Sequence, residues 1–285
     1  MTISTLSLDG LIDLVASRGD APAVLADSGD GLEALSAAAL AGQSVTIARS
    51  LVARGVLPGE RIGLFAPNGP EWVVARLGIG ASGAVCVPID PLAVADEVAT
   101  IVRASAMTRL FVAAEQAAQL DRQAVSGLVE IVMMGGSVDG AVNGHDGLVT
   151  QTLSALQADA PADVTLPVLA ADQPAMMVFT SGTTGRPKYF TLSYANIEAN
   201  VRAISGTGLI GGNDRLLVPL PLHHVYPFVV GMLVPLATGA VIVLPEAPQG
   251  PAMVRALQRS GATMMIGVPR LYQALVAGIE AQAAA

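Results

Sequence analysis

Ala175-Met-Met-Val-Phe179-Thr180-Ser181-Gly182-Thr183-Thr184-Gly185-Arg186-Pro187-Lys188 is the stretch on which the reading of this chain turns. It opens as an apolar strand, Ala175 to Phe179, and breaks into nine residues of glycine, hydroxyl and cationic side chains. Two glycines admit positive φ and let a backbone approach a ligand closely. Successive N–H groups in such a turn form an anion-binding nest. Four hydroxyls, those of Thr180, Ser181, Thr183 and Thr184, add donors, and Lys188 adds a compact positive charge suited to phosphate. An ordinary Gly/Ser/Thr surface loop is the plain alternative, and it is disfavoured by the order of the nine residues behind a buried strand. The loop is not the Walker phosphate-binding motif. Counted from Gly182, Pro187 stands where that motif has Gly, and Tyr189 stands where it has Ser or Thr.

Elements on both sides of the loop alternate between strand and helix. Upstream, Leu6 to Arg18 and Ser44 to Arg54 are amphipathic helices, the second closed by Gly55. Arg61 to Ala66 is a strand, Pro70 to Ala81 a helix opened by Pro and Glu, and Val85 to Ile89 a strand. A helix at Asp96 to Ser105 and strands at Leu110 to Val112 and Val129 to Met134 continue the alternation. Residues 136–174, rich in Gly, Asp, Ala and Pro, read as a connector. Downstream come a helix at Tyr194 to Ser205, a strand at Arg215 to Val218, a helix at Ala252 to Arg259, a strand at Thr263 to Gly267 and a helix at Pro269 to Ala281. The pattern predicts an α/β fold with parallel-rich sheets in two layered subdomains. These are 1–165 with the connector, and 166–285 carrying the loop.

Bulk properties narrow the function. The 285 residues are 52% hydrophobic and 13% charged, so a packed core is expected. Net charge is −8 with no basic tract, which argues against nucleic acid as a partner. Cys86 is the only cysteine, so no internal disulfide forms. No basic residue precedes Arg18, and Asp9 and Asp13 interrupt the N-terminus, so a secretory signal is not expected and the cytoplasm is the expected location. Val225 to Leu244 is uncharged and long enough to span a bilayer, but Pro227, Pro235 and Gly239 punctuate it. It reads as a buried helix followed by a buried strand.

Other motifs carry less. Gly78-Gly80-Gly83 and Gly206-Gly208-Gly211 match G-x-G-x-x-G, but each follows a helix and precedes a strand, the reverse of what dinucleotide binding needs. Both read as glycines at helix ends. His223 and His224 stand in Pro219-Leu-Pro-Leu-His-His-Val-Tyr-Pro-Phe228, where an apolar strand opens into an apolar helix. Adjacent histidines chelate poorly, and no Cys, Asp or Glu neighbour completes a metal site. No G-x-S-x-G elbow supports a hydrolase.

The loop TSGTTGRPK closely resembles the phosphate-binding signature of the adenylate-forming superfamily, in the branch of the fatty acid–CoA ligases. Leu77 to Asp90, Asp172 to Ala175, Leu220 to Tyr226 and Val268 to Leu275 resemble further segments of that family in the same order. The resemblance implies a carboxylate attacking the α-phosphate of Mg2+-bound ATP to give acyl-AMP, and coenzyme A then accepting the acyl group. It implies that Thr180, Ser181, Gly182, Thr183, Thr184, Gly185 and Lys188 hold the β- and γ-phosphates. His224 and Lys188 would act in catalysis, and His224, Val225 and Tyr226 would line the acyl pocket. ATP, a fatty acid and coenzyme A are the implied partners; a peripheral membrane contact and a homodimer stay open. Two departures stand beside the loop: Tyr189 and Phe190 where the family has Gly, and Ser193-Tyr194 where Thr-His is common. The family's adenine, ribose and hinge segments and its mobile C-terminal domain are not found. The resemblance therefore implies an inactive fragment of a longer enzyme. Loading of a carrier-protein thiol, and a non-catalytic relative that only binds nucleotide or acyl chains, remain as alternatives.

Overall fold

A computed structural model describes residues 8–121, 123–136, 148–180, 188–248 and 250–283. Helix α1 (Leu8–Ala16) leads into an antiparallel pair, β1 (Pro22–Asp27) and β2 (Leu32–Ser36). Then come α2 (Ala37–Ala53), β3 (Arg61–Phe65), α3 (Pro70–Ala81), β4 (Val85–Ile89), α4 (Ala95–Ser105), β5 (Arg109–Ala113), the short α5 (Ala114–Ala117) and β6 (Glu130–Met134). Next are β7 (Val149–Thr152), α6 (Leu153–Ala158), β8 (Pro174–Thr180), β9 (Lys188–Ser193) and α7 (Tyr194–Ser205). The chain ends with β10 (Arg215–Leu217), a π-helical segment (Pro227–Leu233), α8 (Val234–Thr238), β11 (Val241–Leu244), α9 (Pro251–Ser260), β12 (Met264–Met265) and α10 (Pro269–Ala283).

Among the described residues the strands form two sheets. The larger runs β7-β6-β5-β3-β4-β8-β9 and is parallel except for β9. The smaller runs β12-β10-β11-β1-β2 and is parallel except for β2. Sheet membership crosses residue 165 in both directions: β1 and β2 join the later strands, while β8 and β9 complete the earlier sheet.

The period-two alternation of each strand sorts side chains into three cores. One cluster holds Ile62, Leu64, Cys86, Phe111, Val132 and Met176 from the large sheet, Val24, Leu216 and Ile242 from the small one, and the inward faces of α2, α3 and α7. Helices therefore lie between the two sheets. The opposite face of the large sheet, with Val85, Val87, Leu110 and Val112, packs on α4. The opposite face of the small sheet, with Leu217, Val241 and Val243, packs on α9. Helix α3 sits in the middle, and every residue from Trp72 to Gly80 is buried. A helix buried all round needs apolar residues on every side, which Pro70 to Ala81 supplies.

Several elements differ from the sequence expectation. Helix α2 starts at Ala37, not Ser44, because Ser36 caps it by accepting from Ala39 N at 3.2 Å and carries it through Gly42. Strands β1, β2, β7 and β9 are not among the expected elements, and residues 149–158 of the expected connector form β7 and α6. Gly78 is not a helix-end glycine. It lies inside α3, where a Cβ would meet Ile47 Cβ at 2.7 Å and Ser44 O at 2.9 Å, so it allows α2 and α3 to touch. Val225 to Leu244 is the expected helix and strand, its helical part passing through a π-helix at Pro227–Leu233. Among the described residues no helix is long and apolar enough to cross a membrane.

Candidate functional site

Strands β3, β4 and β8 are neighbours and run parallel, so the chain leaves all three at the same edge of the large sheet. Ligands of open α/β sheets bind outside such carboxyl ends. Asn68 follows β3, Asp90 follows β4, and Thr180 ends β8.

Thr180 pairs with Lys188 as the last rung of the antiparallel β8–β9 ladder, and its Oγ1 donates to Lys188 O at 3.4 Å. Both residues are exposed. They bracket Ser181, Gly182, Thr183, Thr184, Gly185, Arg186 and Pro187, which lie outside the described residues. Beyond Lys188, Tyr189 stacks across the ladder on Phe179 with ring centroids 5.5 Å apart. Tyr194 is buried and donates its hydroxyl to Gly80 O at 2.9 Å, tying α7 to α3. Both departures from the family pattern thus have structural work: a cross-strand aromatic pair and a helix–helix bond.

The two histidines reach the same edge from the other sheet. Asn68 donates from Nδ2 to Leu220 O at 2.9 Å and accepts from Leu222 N at 2.8 Å, clamping the backbone just before them. His223 and His224 occupy a turn, closed by His224 N donating to Pro221 O at 3.2 Å. Their rings lie 4.0 Å apart. His223 is buried and His224 exposed. The two neighbours thus differ in exposure within a turn, neither of them being in a strand.

His223 Nε2 lies 3.8 Å from Asp90 Oδ2 and has no hydrogen-bond partner. Burial, helped by the nearby His224 and opposed by Asp90, pushes its pKa down to about 4. Burial wins, so His223 is a neutral packing residue at neutral pH and the contact with Asp90 is not an ion pair. Past the turn, Phe228 N donates to His224 O at 3.0 Å, Val225 is half-buried, and Tyr226 is 45% exposed. Tyr272 lies close enough to Tyr226 to help burial raise its phenol pKa. Thr180 and Lys188 are thus brought together, as are His224, Val225 and Tyr226. No hydrogen bond or ion pair joins the two groups among the described residues. Sequence reading missed Asn68 and Asp90, whose partners lie well over a hundred residues away.

Residues 13–285 match the AMP-binding enzyme family. The chain belongs to that family. It is 33% identical over 281 residues to a sulfoacetate–CoA ligase of Cupriavidus necator, covering 97% of this chain and 53% of the relative. It is 30% identical over 252 residues to the long-chain-fatty-acid–CoA ligase FadD15 of Mycobacterium bovis, covering 86% of this chain and 40% of the relative. The chain thus spans about half the length of the relatives it matches. Its fold is similar to the crystal structure of a long-chain-fatty-acid-CoA ligase (FadD1) from Archaeoglobus fulgidus, with a TM-score of 0.84 at 21% identity over 97% of this chain and 54% of that one. This AMP-binding chain therefore has the α/β architecture of the acyl-CoA synthetase-like N-terminal domain.

Proposed function

We propose that the chain carries the phosphate loop and the acid-facing turn of an ATP-dependent, AMP-forming acid–CoA ligase whose acid is apolar, as fatty acids are. The observation that carries this reading is the arrival of the Thr180–Lys188 bracket and the Asn68-clamped His224 turn at one edge of the large sheet.

The acid's carboxylate attacks the α-phosphorus of ATP, the bond to the β-phosphate oxygen breaks, and pyrophosphate leaves. The coenzyme A thiolate then attacks the acyl carbon and AMP leaves. Ser181, Gly182, Thr183, Thr184 and Gly185, with Thr180 and Lys188, hold the β- and γ-phosphates. Lys188 fits that role, being exposed and without an ion pair among the described residues. Mg2+ enters with ATP as its counter-ion and offsets charge on the phosphates. Catalysis by the loop is charge stabilisation and positioning. His224 orients the acid, and Val225 and Tyr226 flank it.

An apolar acid is supported by the side chains beside the turn. Tyr226, Val268 and Tyr272 are 45%, 40% and 44% exposed, and Tyr272 lies within electrostatic reach of Tyr226. Exposed apolar groups gathered in one place mark a binding surface. The test is pyrophosphate release by the protein at the length of its relatives, with MgATP, coenzyme A and a panel of octanoate, palmitate, ferulate and sulfoacetate. Fatty acids should give the highest kcat/KM. Preferential turnover of sulfoacetate would overturn the apolar acid, and an absence of acid-dependent pyrophosphate would overturn the ligase reading. Transfer to a carrier protein in place of coenzyme A would overturn the acceptor.

A further inference from the structure

Arg76 lies in the middle of α3, between the two sheets, and is only 5% exposed. Its guanidinium makes no hydrogen bond and no ion pair among the described residues, and its Nε is fully enclosed without a partner. The one favourable contact of its charge is with a ring: Cζ stands 4.5 Å from the centroid of Phe228. Nearby acceptors are otherwise engaged. Gly80 O, one turn along the helix, takes the Tyr194 hydroxyl. Gly80 itself leaves room for the guanidinium, since a Cβ there would stand 3.2 Å from Nη1. A buried guanidinium whose Nε–H has no acceptor is unfavourable unless something else meets its charge.

Arg76 lines a cavity of about 290 Å³. The other walls are mainly apolar, with Leu11 and Ile12 from α1, Val45 from α2, Leu77 from α3, Leu169 from the segment before β8, and Leu233 from the π-helix. Asp13 is the single carboxylate on the wall; it is exposed and does not pair with Arg76. The lining includes none of Thr180, Lys188, His224, Val225 or Tyr226.

We propose that this cavity is a binding site for a small apolar monocarboxylate, with the carboxylate on Arg76 and the apolar body against α1, α2 and the π-helix. The guanidinium fork matches a carboxylate in geometry and charge. A cavity of about 290 Å³ lies at the small end of ligand pockets, which suits a short acid such as hexanoate. Phe228 belongs to the π-helix that follows the His224 turn, so an occupant would bear on the backbone just after it. The inference stands apart from the ligase reading, because none of its residues takes part in that chemistry.

The test is calorimetric titration of the 285-residue chain with hexanoate and with hexan-1-ol, alongside NOEs from the ligand to labelled Leu, Ile and Val methyls. Hexanoate should bind saturably, hexan-1-ol at least tenfold more weakly, and NOEs should reach Leu11, Ile12 and Val45. Arg76→Met, which keeps the side chain's bulk, should weaken hexanoate at least tenfold, whereas His224→Ala should leave it unchanged. Equal binding of acid and alcohol, no saturable binding, or NOEs confined to other methyls would overturn the proposal. So would loss of hexanoate binding in His224→Ala, which would place the acid in the ligase site. If Arg76→Met does not fold, the acid–alcohol comparison and the NOEs on the unaltered chain still decide.

Discussion

Asn68 and Leu222 are joined by a bond between the large sheet and the turn that carries the histidines: Leu222 N donates to Asn68 Oδ1 at 2.8 Å. The same amide donates from Nδ2 to Leu220 O at 2.9 Å, so one side chain satisfies two backbone groups two residues apart. Both partners are backbone, one a donor and one an acceptor, which fixes the orientation of the amide without ambiguity. Among the described residues this clamp is a direct polar tie from the end of β3 to the start of the turn.

Asn68→Ala should therefore cost about 2–6 kcal/mol, because it leaves two backbone groups without partners and each unmade bond costs roughly 1–3 kcal/mol. Hydrogen exchange at the amides of residues 222–224 should accelerate more than exchange in β5 or β6. A loss below about 0.5 kcal/mol in urea unfolding would show that the turn is held by packing alone.

His223 sets a pH dependence of stability. Its pKa is about 4 in the folded chain, against 6.5 for an ordinary imidazole. Between those values the unfolded state binds the proton and the folded state does not, so stability falls as pH drops from 6.5 toward 4 and levels off below. At pH 5 the loss approaches about 2 kcal/mol by the 1.36 kcal/mol per unit relation. His223→Leu, similar in bulk and unable to titrate, should remove this part of the pH dependence. Urea unfolding at pH 7.5 and 5.0 measures it. Identical pH slopes for the two proteins would show that His223 accepts its proton in the folded chain.

Gly78 opposes a general preference. Gly to Ala inside a helix usually stabilises by about 1 kcal/mol. Here the added carbon would stand 2.7 Å from Ile47 Cβ and 2.9 Å from Ser44 O, neither of which is the free end of a flexible chain. Overpacking of that kind costs roughly 1–3 kcal/mol, so the clash should win or at least cancel the helix gain. Gly78→Ala is expected to lower Tm, and a raised Tm would mean that α2 and α3 separate at little cost.

Cys86 lies in the interior strand β4 and is fully buried. Burial pushes its thiol up to about 11, with Arg76 pulling slightly the other way. The thiolate is the reactive species, so native protein should not react with a thiol-specific disulfide reagent at pH 8, and one equivalent should react in denaturant. Rapid labelling of the native chain would mean that the large sheet opens at β4.

What could be read from the chain and what could not divide along a physical line. Helix α3, strand β4 and helix α7 have the bounds that periodicity and end signals give, because Pro70, Ser193 and their neighbours act locally. Strand β1 depends on β11, whose residues pair with it from more than two hundred positions away, so its short run Pro22–Asp27 carries too weak a local pattern. The same holds for β9, whose exposed Lys188 to Phe190 look like the continuation of a loop until β8 lies beside them. At the site, Thr180, Lys188 and His224 were visible as residue types in an order. Asn68 and Asp90 were not, because an asparagine after a strand and an aspartate after a strand are common, and only the sheet order β3-β4-β8 brings them to the turn.

The neighbouring histidines should part company when substituted. His224 is exposed at the edge where the Thr180–Lys188 bracket ends, and its backbone is fixed by the clamp on Leu222 and by its own bond to Pro221 O. Its ring is free to meet a carboxylate, and a hydrogen bond to a charged partner is worth roughly 1.5–3 kcal/mol. That corresponds to about a ten- to hundredfold change. In the protein at the length of its relatives, His224→Ala should lower kcat/KM for the acid by that factor and leave the KM for ATP within about twofold. His223 is buried against His224 and near Asp90, so His223→Ala should open a void and lower Tm, with a smaller change in acid kinetics. Initial rates with acid varied at saturating ATP, paired with thermal unfolding of both variants, separate the roles. If His224→Ala lowers Tm as much as His223→Ala and leaves the acid kinetics intact, both histidines are packing residues of the turn and the acid is oriented from elsewhere.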